Sequence, residues 1–216
     1  MIIAVDGPTA SGKGTIAKAL ARHFGLPHLD TGLLYRAVGR QVALNSGDPD
    51  NADDALAACD FADELLEDDV LRSEETGGLA SRVSVHPEVR QRLYERQRAF
   101  ATQASGAVLD GRDIGTIIAP EAEVKLFITA SVQERARRRW LEMVDKKQDH
   151  EEEIPLVEIE KDIVMRDARD INRKDAPLKA APDAMIIDTT NFDREQAFET
   201  VLEALEQHLA KQSGAD

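Results

Sequence analysis

Short continuous apolar runs alternate along this chain with longer stretches whose apolar residues recur every three or four positions. "IIAV" (2–5), "AVLD" (107–110) and "VKLFITA" (124–130) are short runs that read as buried parallel strands, "AMIID" (184–188) reads as the last strand, and "PHLD" (27–30) suits a further short one, five in all. Helical spacing fills the intervals. Ile16, Leu20 and Phe24 predict a helix that Gly25 ends, and Leu34, Val38 and Val42 predict a second, closed by Gly47. "HPEVRQRLYERQRAFATQ" predicts a helix opening on Pro87, with Val89, Leu93 and Phe100 on one face. "SVQERARRRWLEMV" predicts another, with Ser131 as N-cap and Glu134 completing a capping box. Ile159, Ile163 and Arg166 mark a helix in "LVEIEKDIVMRDARDINR", and Phe198, Val201, Leu202, Leu205 and Leu209 mark the last one. Strands alternating with helices predict an α/β fold with a parallel sheet.

The pattern breaks at two places. From Asp48 the chain turns acidic, with room for one short helix starting near Ala52, and "EETGGLASRVS" is polar and punctuated by glycines. Residues 47–86 therefore read as a lobe inserted into a core made of 1–46 and 87–216. "DKKQDHEEEIP" (145–155) reads as a solvated, mobile turn between two arginine-rich helices.

Composition narrows the function. A net charge of −14 argues against a nucleic-acid groove and against an anionic membrane surface, because both select basic faces. No run approaches the length of a membrane span, the N-terminus lacks a basic leader, and the single cysteine, Cys59, has no internal partner. These features predict a cytoplasmic protein. The five histidines show no metal-ligand spacing.

The chemistry is concentrated in a few motifs. "GPTASGKGT" (7–15) follows a strand, opens a helix and matches G-x-x-x-x-G-K. Its glycines let backbone N–H groups converge on phosphate oxygens, the helix N-terminus adds its dipole, and Lys13 adds a full charge. A nucleoside triphosphate is the expected ligand. "NRKD" (172–175) has its lysine in the wrong place for a GTPase signature, and nothing nearby supplies a water-positioning glutamine. Gly14 stands where a magnesium-binding hydroxyl is usual, so the metal falls to phosphates, waters, Thr15 and a remote carboxylate. Asp110, ending a strand, is placed to be that carboxylate. Arg36, Arg112, Arg135, Arg137, Arg138, Arg139, Arg166, Arg169 and Arg173 crowd segments that meet the sheet's carboxyl edge. Guanidinium forks bind phosphate bidentately, so this set suits a second, phosphorylated substrate.

Together "AVDGPTASGKGT", "LDTGLLYR", "ASRVSVHPEVRQRLYERQRAF", "LDGRDIGT" and "MRDARDINR" resemble, in order and spacing, the bacterial cytidylate kinase family from Ile2 to about Thr190. "DGRDIGT" and "RDARDINR" are the discriminating pieces, since adenylate kinases lack them. The resemblance implies a P-loop core with a five-stranded parallel sheet, a nucleoside monophosphate (NMP) lobe and a lid at about 139–165. It implies ATP held by Gly7, Pro8, Thr9, Ala10, Ser11, Gly12, Lys13, Gly14 and Thr15, with Mg²⁺ on Asp110 and Thr15 through waters and nucleotide phosphates. Thr31, Arg36, Ser81, Arg90, Arg112, Asp113, Asp170 and Arg173 would hold CMP or dCMP, with Ser81, Arg90 and Asp113 reading the base. Lys13, Asp110, Arg112, Arg166 and Arg173 would serve transfer, and the chain would act as a monomer on small molecules alone. The acidic stretch 48–78 is shorter, and poorer in β-branched runs, than the sheet-bearing insert of long-type members. A UMP- or shikimate-type kinase and a non-catalytic nucleotide-binding module stand as alternatives.

Overall fold

Five strands form one sheet in the order β2-β3-β1-β4-β5: β1 Ile2–Asp6, β2 His28–Asp30, β3 Ala107–Gly111, β4 Val124–Thr129 and β5 Met185–Asp188. All neighbours pair in parallel. This computed structural model describes residues 1–145 and 154–213, with side chains to residue 210. The central part of the mobile turn expected between the arginine-rich helices, and of the lid at about 139–165, lies outside the described residues.

The central strand shows why the sheet forms. Ile3 and Val5 point to one face, where they pack with Leu126 and Ile128 of β4 against Leu20 of α1 (Lys13–Phe24) and Val201 and Leu205 of α8 (Arg194–Ser213). Ala4 points to the other face and meets Leu109, Ile114 and Ala101, the last from α5 (Pro87–Ala101). Burying each large aliphatic here contributes roughly 1.5–3 kcal/mol. A strand buried on both faces has no polar alternation, which is how these runs read in the sequence.

Helix ends follow local chemistry, with two departures from expectation. Gly25 ends α1 in the left-handed conformation, its N–H reaching the carbonyls of Ala21 and Arg22. α2 (Thr31–Leu44) stops earlier than Gly47 suggested: Asn45 is the C-cap, Ser46 takes a positive φ, and Gly47 only donates back to the Val42 carbonyl. Ser131 caps α6 (Val132–Val144) by accepting from Glu134 N–H, but the reciprocal half of the capping box is missing. The Ser131 N–H goes to Thr190 Oγ1, and the Glu134 carboxylate holds Arg137 and Arg138 instead.

The stretch 47–86 contains no strand. It folds as α3 (Ala52–Ala57), two short 3₁₀ turns and α4 (Glu74–Val83). α3 begins where expected, capped by the Asn51 side chain. α4 was not legible, because two interior glycines cost roughly 1 kcal/mol each relative to alanine. Ser73 caps it, Glu74 and Glu75 meet its N-terminal dipole, and packing supplies the rest. Its residues pack on α2 so closely that a Cβ on Gly39 would lie 2.7 Å from that of Leu79. Leu34, Val38, Val42, Ala55, Ala58, Val83, Val89 and Leu93 then make a second apolar cluster that joins α2, α3, α4 and α5. A third, smaller one joins α6 to α7 (Leu156–Asn172) through Ala136, Ile159 and Ile163.

The close approach at Gly39 gives a direct test. Gly39→Leu forces α4 off α2, and an overpacking cost of about 3 kcal/mol exceeds the roughly 1 kcal/mol regained in helix propensity by about 2 kcal/mol. The expected result is a thermal midpoint lower by roughly 4–8 °C, read by circular dichroism. An unchanged or higher midpoint contradicts the close contact.

Candidate functional site

Every strand delivers a polar residue to the same edge: Asp6, Asp30, Asp110, Thr129 and Asp188. Ligands of open parallel sheets bind outside this carboxyl edge. The loop from Gly7 to Gly12 rises there and enters α1 at Lys13. Gly7 admits no side chain, since a Cβ would stand 2.1 Å from the Ile128 carbonyl oxygen. Ala10 and Gly12 both take positive φ, which wraps the loop. Ser11 is fully buried and its hydroxyl finds no partner among the described residues, a vacancy of the kind a phosphate oxygen satisfies.

Lys13 donates to the Pro8 carbonyl at 3.2 Å. Withdrawal from water brings its ammonium down to about 8, and the neighbouring Arg112 guanidinium adds to the fall, while Asp110, Asp30 and Asp170 oppose it. Asp110 accepts from His28 Nε2 at 2.7 Å through Oδ1, and its Oδ2 faces Gly14, 3.5 Å from where a Cβ would sit. Asp30 is the register partner of Asp110 across β2 and β3. Burial and the Asp110 charge raise the Asp30 carboxyl, so the two act on one another. Among the described residues no cluster of three His, Cys, Asp or Glu side chains has ligand geometry. Two hard carboxylates without a full protein cage suit magnesium, which keeps waters and substrate phosphates in its shell. Thr15 is exposed and lines a separate cavity of about 260 Å³ with Ala10, Ser11, Ile16, Arg138, Thr189 and Phe192.

On the other side of the loop lies a cavity of about 100 Å³ between α2, α4, α5, α7 and the segment after β3. Thr31, Arg36, Ser81, Arg90, Arg112, Asp113, Asp170 and Arg173 all line it, with Arg166. They come from five separate stretches of sequence. Thr31 donates to the Asp110 carbonyl at 2.8 Å. Arg112 bonds Asp170 at 2.8 Å and Thr9 Oγ1 at 3.0 Å, which ties it to the loop. Arg90 pairs with Asp113 at 2.5 Å, both fully enclosed, and Ser81 accepts from Arg169 at 3.0 Å. Arg36 donates to the carbonyls of Leu71 and Ser73. Burial and the nearby Arg139 and Arg166 charges bring its guanidinium down to about 10. Arg90 Nη1 and Arg173 Nη2 are buried without a hydrogen-bond partner among the described residues; the second lies 3.7 Å from Asp113 Oδ1. Each unpaired buried donor costs about 1–3 kcal/mol, so the cavity is built for an acceptor it does not itself supply.

The arginine run of α6 divides by direction. Arg135 is buried and reaches Asp167 and the Thr9 carbonyl, and Arg138 reaches Ser11, Thr189 and Phe192 carbonyl oxygens. Arg139 pairs with Glu74 of α4, which also holds Arg166 of α7. Arg137 stays at the surface with Glu134. Several contributors were not singled out in the sequence. Tyr35 lies under the Arg90 guanidinium at 5.8 Å, and Glu74 and Asp30 counter the arginines. Tyr35 and Asp30 sit inside the "LDTGLLYR" motif, so proximity to Thr31 and Arg36 was an available signal; Glu74 had none. A larger open groove, about 750 Å³, runs along α5 on the far side of Arg90 and lacks such convergent charge.

Comparison with known proteins agrees with this geometry. The family profile described as Cytidylate kinase matches residues 3–207. A curated cytidylate kinase of Cereibacter sphaeroides (strain KD131 / KCTC 12085) is 54% identical over 209 residues, covering 97% of each chain. Those of Rhodopseudomonas palustris (strain TIE-1) and Caulobacter sp. (strain K31) are 49% and 48% identical over at least 95% of both chains. The fold is shared with a crystal structure of an uncharacterized protein from Eubacterium ventriosum ATCC 27560, at TM-score 0.50 and 16% identity over 96% of this chain and 98% of that one. No helix among the described residues is long and apolar enough to cross a membrane. With a profile match from residue 3 to residue 207 and relatives about half identical along nearly their whole length, the chain belongs to the cytidylate kinase family.

Proposed function

We propose that this protein transfers the γ-phosphoryl group of ATP to CMP or dCMP, giving CDP or dCDP and ADP. The observation that carries the reading is the pair of anion-binding sites on one sheet edge, a phosphate-wrapping loop facing a buried arginine cavity with unpaired donors. Membership of the family agrees with it.

In this reading ATP lies with its phosphates on Gly7–Thr15 and its base in the cavity beside Arg138 and Phe192. CMP enters the second cavity with its phosphate toward Arg36, Arg112, Arg166 and Arg173. The base reaches Ser81, Arg90 and Asp113. An oxygen of the CMP phosphate attacks the γ-phosphorus in line, the bond to the ADP oxygen breaks, and no covalent enzyme intermediate forms. Two anions must approach, so screening their repulsion is most of the catalytic task. Lys13 and Arg112 stand between the sites and stabilise the charge that spreads over the transferred group. Asp110 and Asp30 would hold Mg²⁺ together with waters and substrate phosphates, and the metal would neutralise phosphate charge during transfer, whereas Thr15, expected from the sequence to join them, lines the separate cavity beside Arg138. Residues 47–86 serve as the NMP lobe, and α6 and α7 carry the arginines of the lid. A single buried thiol and nucleotide substrates suit a cytoplasmic monomer.

Three measurements test the reading. In a coupled assay of ADP release with ATP and Mg²⁺, CMP and dCMP are expected to be the preferred acceptors among nucleoside monophosphates and shikimate. A preference for UMP or shikimate, or no turnover at all, selects one of the other readings. Lys13→Met is expected to lower kcat by at least ~10²-fold while circular dichroism stays native, as for loss of one preorganised electrostatic stabiliser. Near-normal turnover would remove Lys13 from the mechanism. Asp113→Ala should reduce kcat/KM for CMP more than for UMP, because its carboxylate accepts from an amino group that uracil lacks. An equal loss on both substrates makes Asp113 a structural partner of Arg90 only.

A further inference from the structure

Asp6 is the last residue of β1, is 3% exposed, and touches neither cavity wall. Its two carboxylate oxygens accept from the backbone N–H groups of Ile114 and Gly115, each at 2.8 Å. Those two N–H groups open the π-type turn Ile114–Ile118. The same residue is the register partner of Gly111 in the ladder between β1 and β3. The chain between these two anchors is Arg112–Asp113. Asp6 therefore holds both ends of the dipeptide that supplies a charged group to each half of the acceptor cavity, its main chain on the Gly111 side and its side chain on the Ile114 side.

We propose that Asp6 is a positioning residue that sets Arg112 and Asp113 for acceptor-nucleotide recognition without touching either substrate. This rests on the reading of the second cavity as the CMP site. The surroundings make a purely stabilising role a poor account. Burial pushes the Asp6 carboxyl up to about 7 and the Asp113 charge adds to this, while the two N–H groups and the Lys13 charge oppose it. A buried carboxyl that forms no ion pair among the described residues is a costly way to end a strand. What it provides is direction: two parallel acceptors that clamp consecutive amides. Gly115 belongs to the same arrangement, since a Cβ there would lie 3.3 Å from the Lys125 methylenes and 3.5 Å from Asp6 Oδ2. Asp113 is then presented to Arg90 and Arg173 rather than to water, and Arg112 to Asp170 and Thr9.

Asp6→Asn keeps the shape but opposes one amide N–H with a second donor. In this variant KM for CMP is expected to rise at least ~10-fold, in line with sub-ångström misplacement of binding groups. The kcat/KM preference for CMP over UMP should narrow, with KM for ATP near the wild-type value. Because Gly7 follows Asp6, equal rises in both KM values would show that Asp6 acts on the triphosphate loop, and overturn the proposal. So would an unchanged KM for CMP in a folded variant. Should Asp6→Asn not fold, amide exchange in the wild-type protein decides instead. Slow exchange at Ile114 and Gly115 without nucleotide supports a preset clamp, and exchange as fast as at exposed loop amides overturns it. Wild-type turnover of CMP, measured first, separates a failure of the functional reading from a failure of the clamp, because the exchange readout does not depend on activity.

Discussion

Because β1 and β3 run parallel and in register, Val5 meets Asp110 and Asp6 meets Gly111, and both chains leave the sheet on the same edge. One continues as the phosphate loop and the other as the segment Arg112–Asp113. Two recognition elements about a hundred residues apart in sequence thereby start from adjacent ladder positions. The lateral hydrogen bonds set their spacing, and a ladder is stiff because slipping it by one residue would turn every side chain to the wrong face. The remaining parts attach to this pair: β2 brings Thr31 and Asp30 beside Asp110, and Arg112 reaches back to Thr9.

The charge arrangement follows from that geometry. The protein carries a net charge of −14, yet its cavity collects Arg36, Arg90, Arg112, Arg166 and Arg173. Like charges so close would repel, and each is met by a carboxylate or a set of carbonyls. Asp113 answers Arg90, Asp170 answers Arg112, Glu74 answers Arg166, and the Leu71 and Ser73 carbonyls answer Arg36. The pairing is incomplete at Arg90 Nη1 and Arg173 Nη2. Three carboxylates against five arginines leave the cavity net positive, with donor capacity that an incoming anion can take up. Gly77 contributes by absence: a Cβ there would lie within 3 Å of both the Arg166 and the Arg36 guanidinium groups, so any larger residue would push both out of their present positions.

Much of this was legible before any coordinates, and for local reasons. β1, β3 and β4 declare themselves because strands covered on both faces need near-continuous apolar runs, whereas the edge strands β2 and β5 are short and only partly covered, and the helix starts at Lys13, Pro87 and Val132 because loop glycines, a first-turn proline and a capping serine act within a few residues. The glycine-rich loop is legible for the same reason, its shape being set by backbone conformation over nine consecutive residues. The eight positions assigned to the acceptor cavity do line one cavity, although their individual roles rest on the resemblance rather than on spacing. Where the reading failed, a distant partner had intervened. α4 forms despite Gly77 and Gly78 because it packs closely on α2 at Gly39, and the Arg36 and Arg166 guanidinium groups occupy the space that Gly77 leaves. Thr190 takes the N–H that the capping box at Ser131 required.

The sequence alone determined the order of the strands along the chain, the helices next to them other than α4, the glycine-rich loop that enters α1 and the kinds of residue available to hold an anion, since each depends on neighbours within a turn or a strand. Only the tertiary structure decided which arginine meets which carboxylate, that Glu74 joins α4 to α6 and α7, that Arg137 faces water while Arg135 is buried, and that Asp6 clamps Ile114 and Gly115. Those outcomes depend on distances between residues far apart in the chain, from 23 positions for Arg90 and Asp113 to 126 for Thr9 and Arg135. A side chain's charge and length limit what it can reach, but the partner it finds is settled by which elements the parallel ladder and the helix packing bring alongside it.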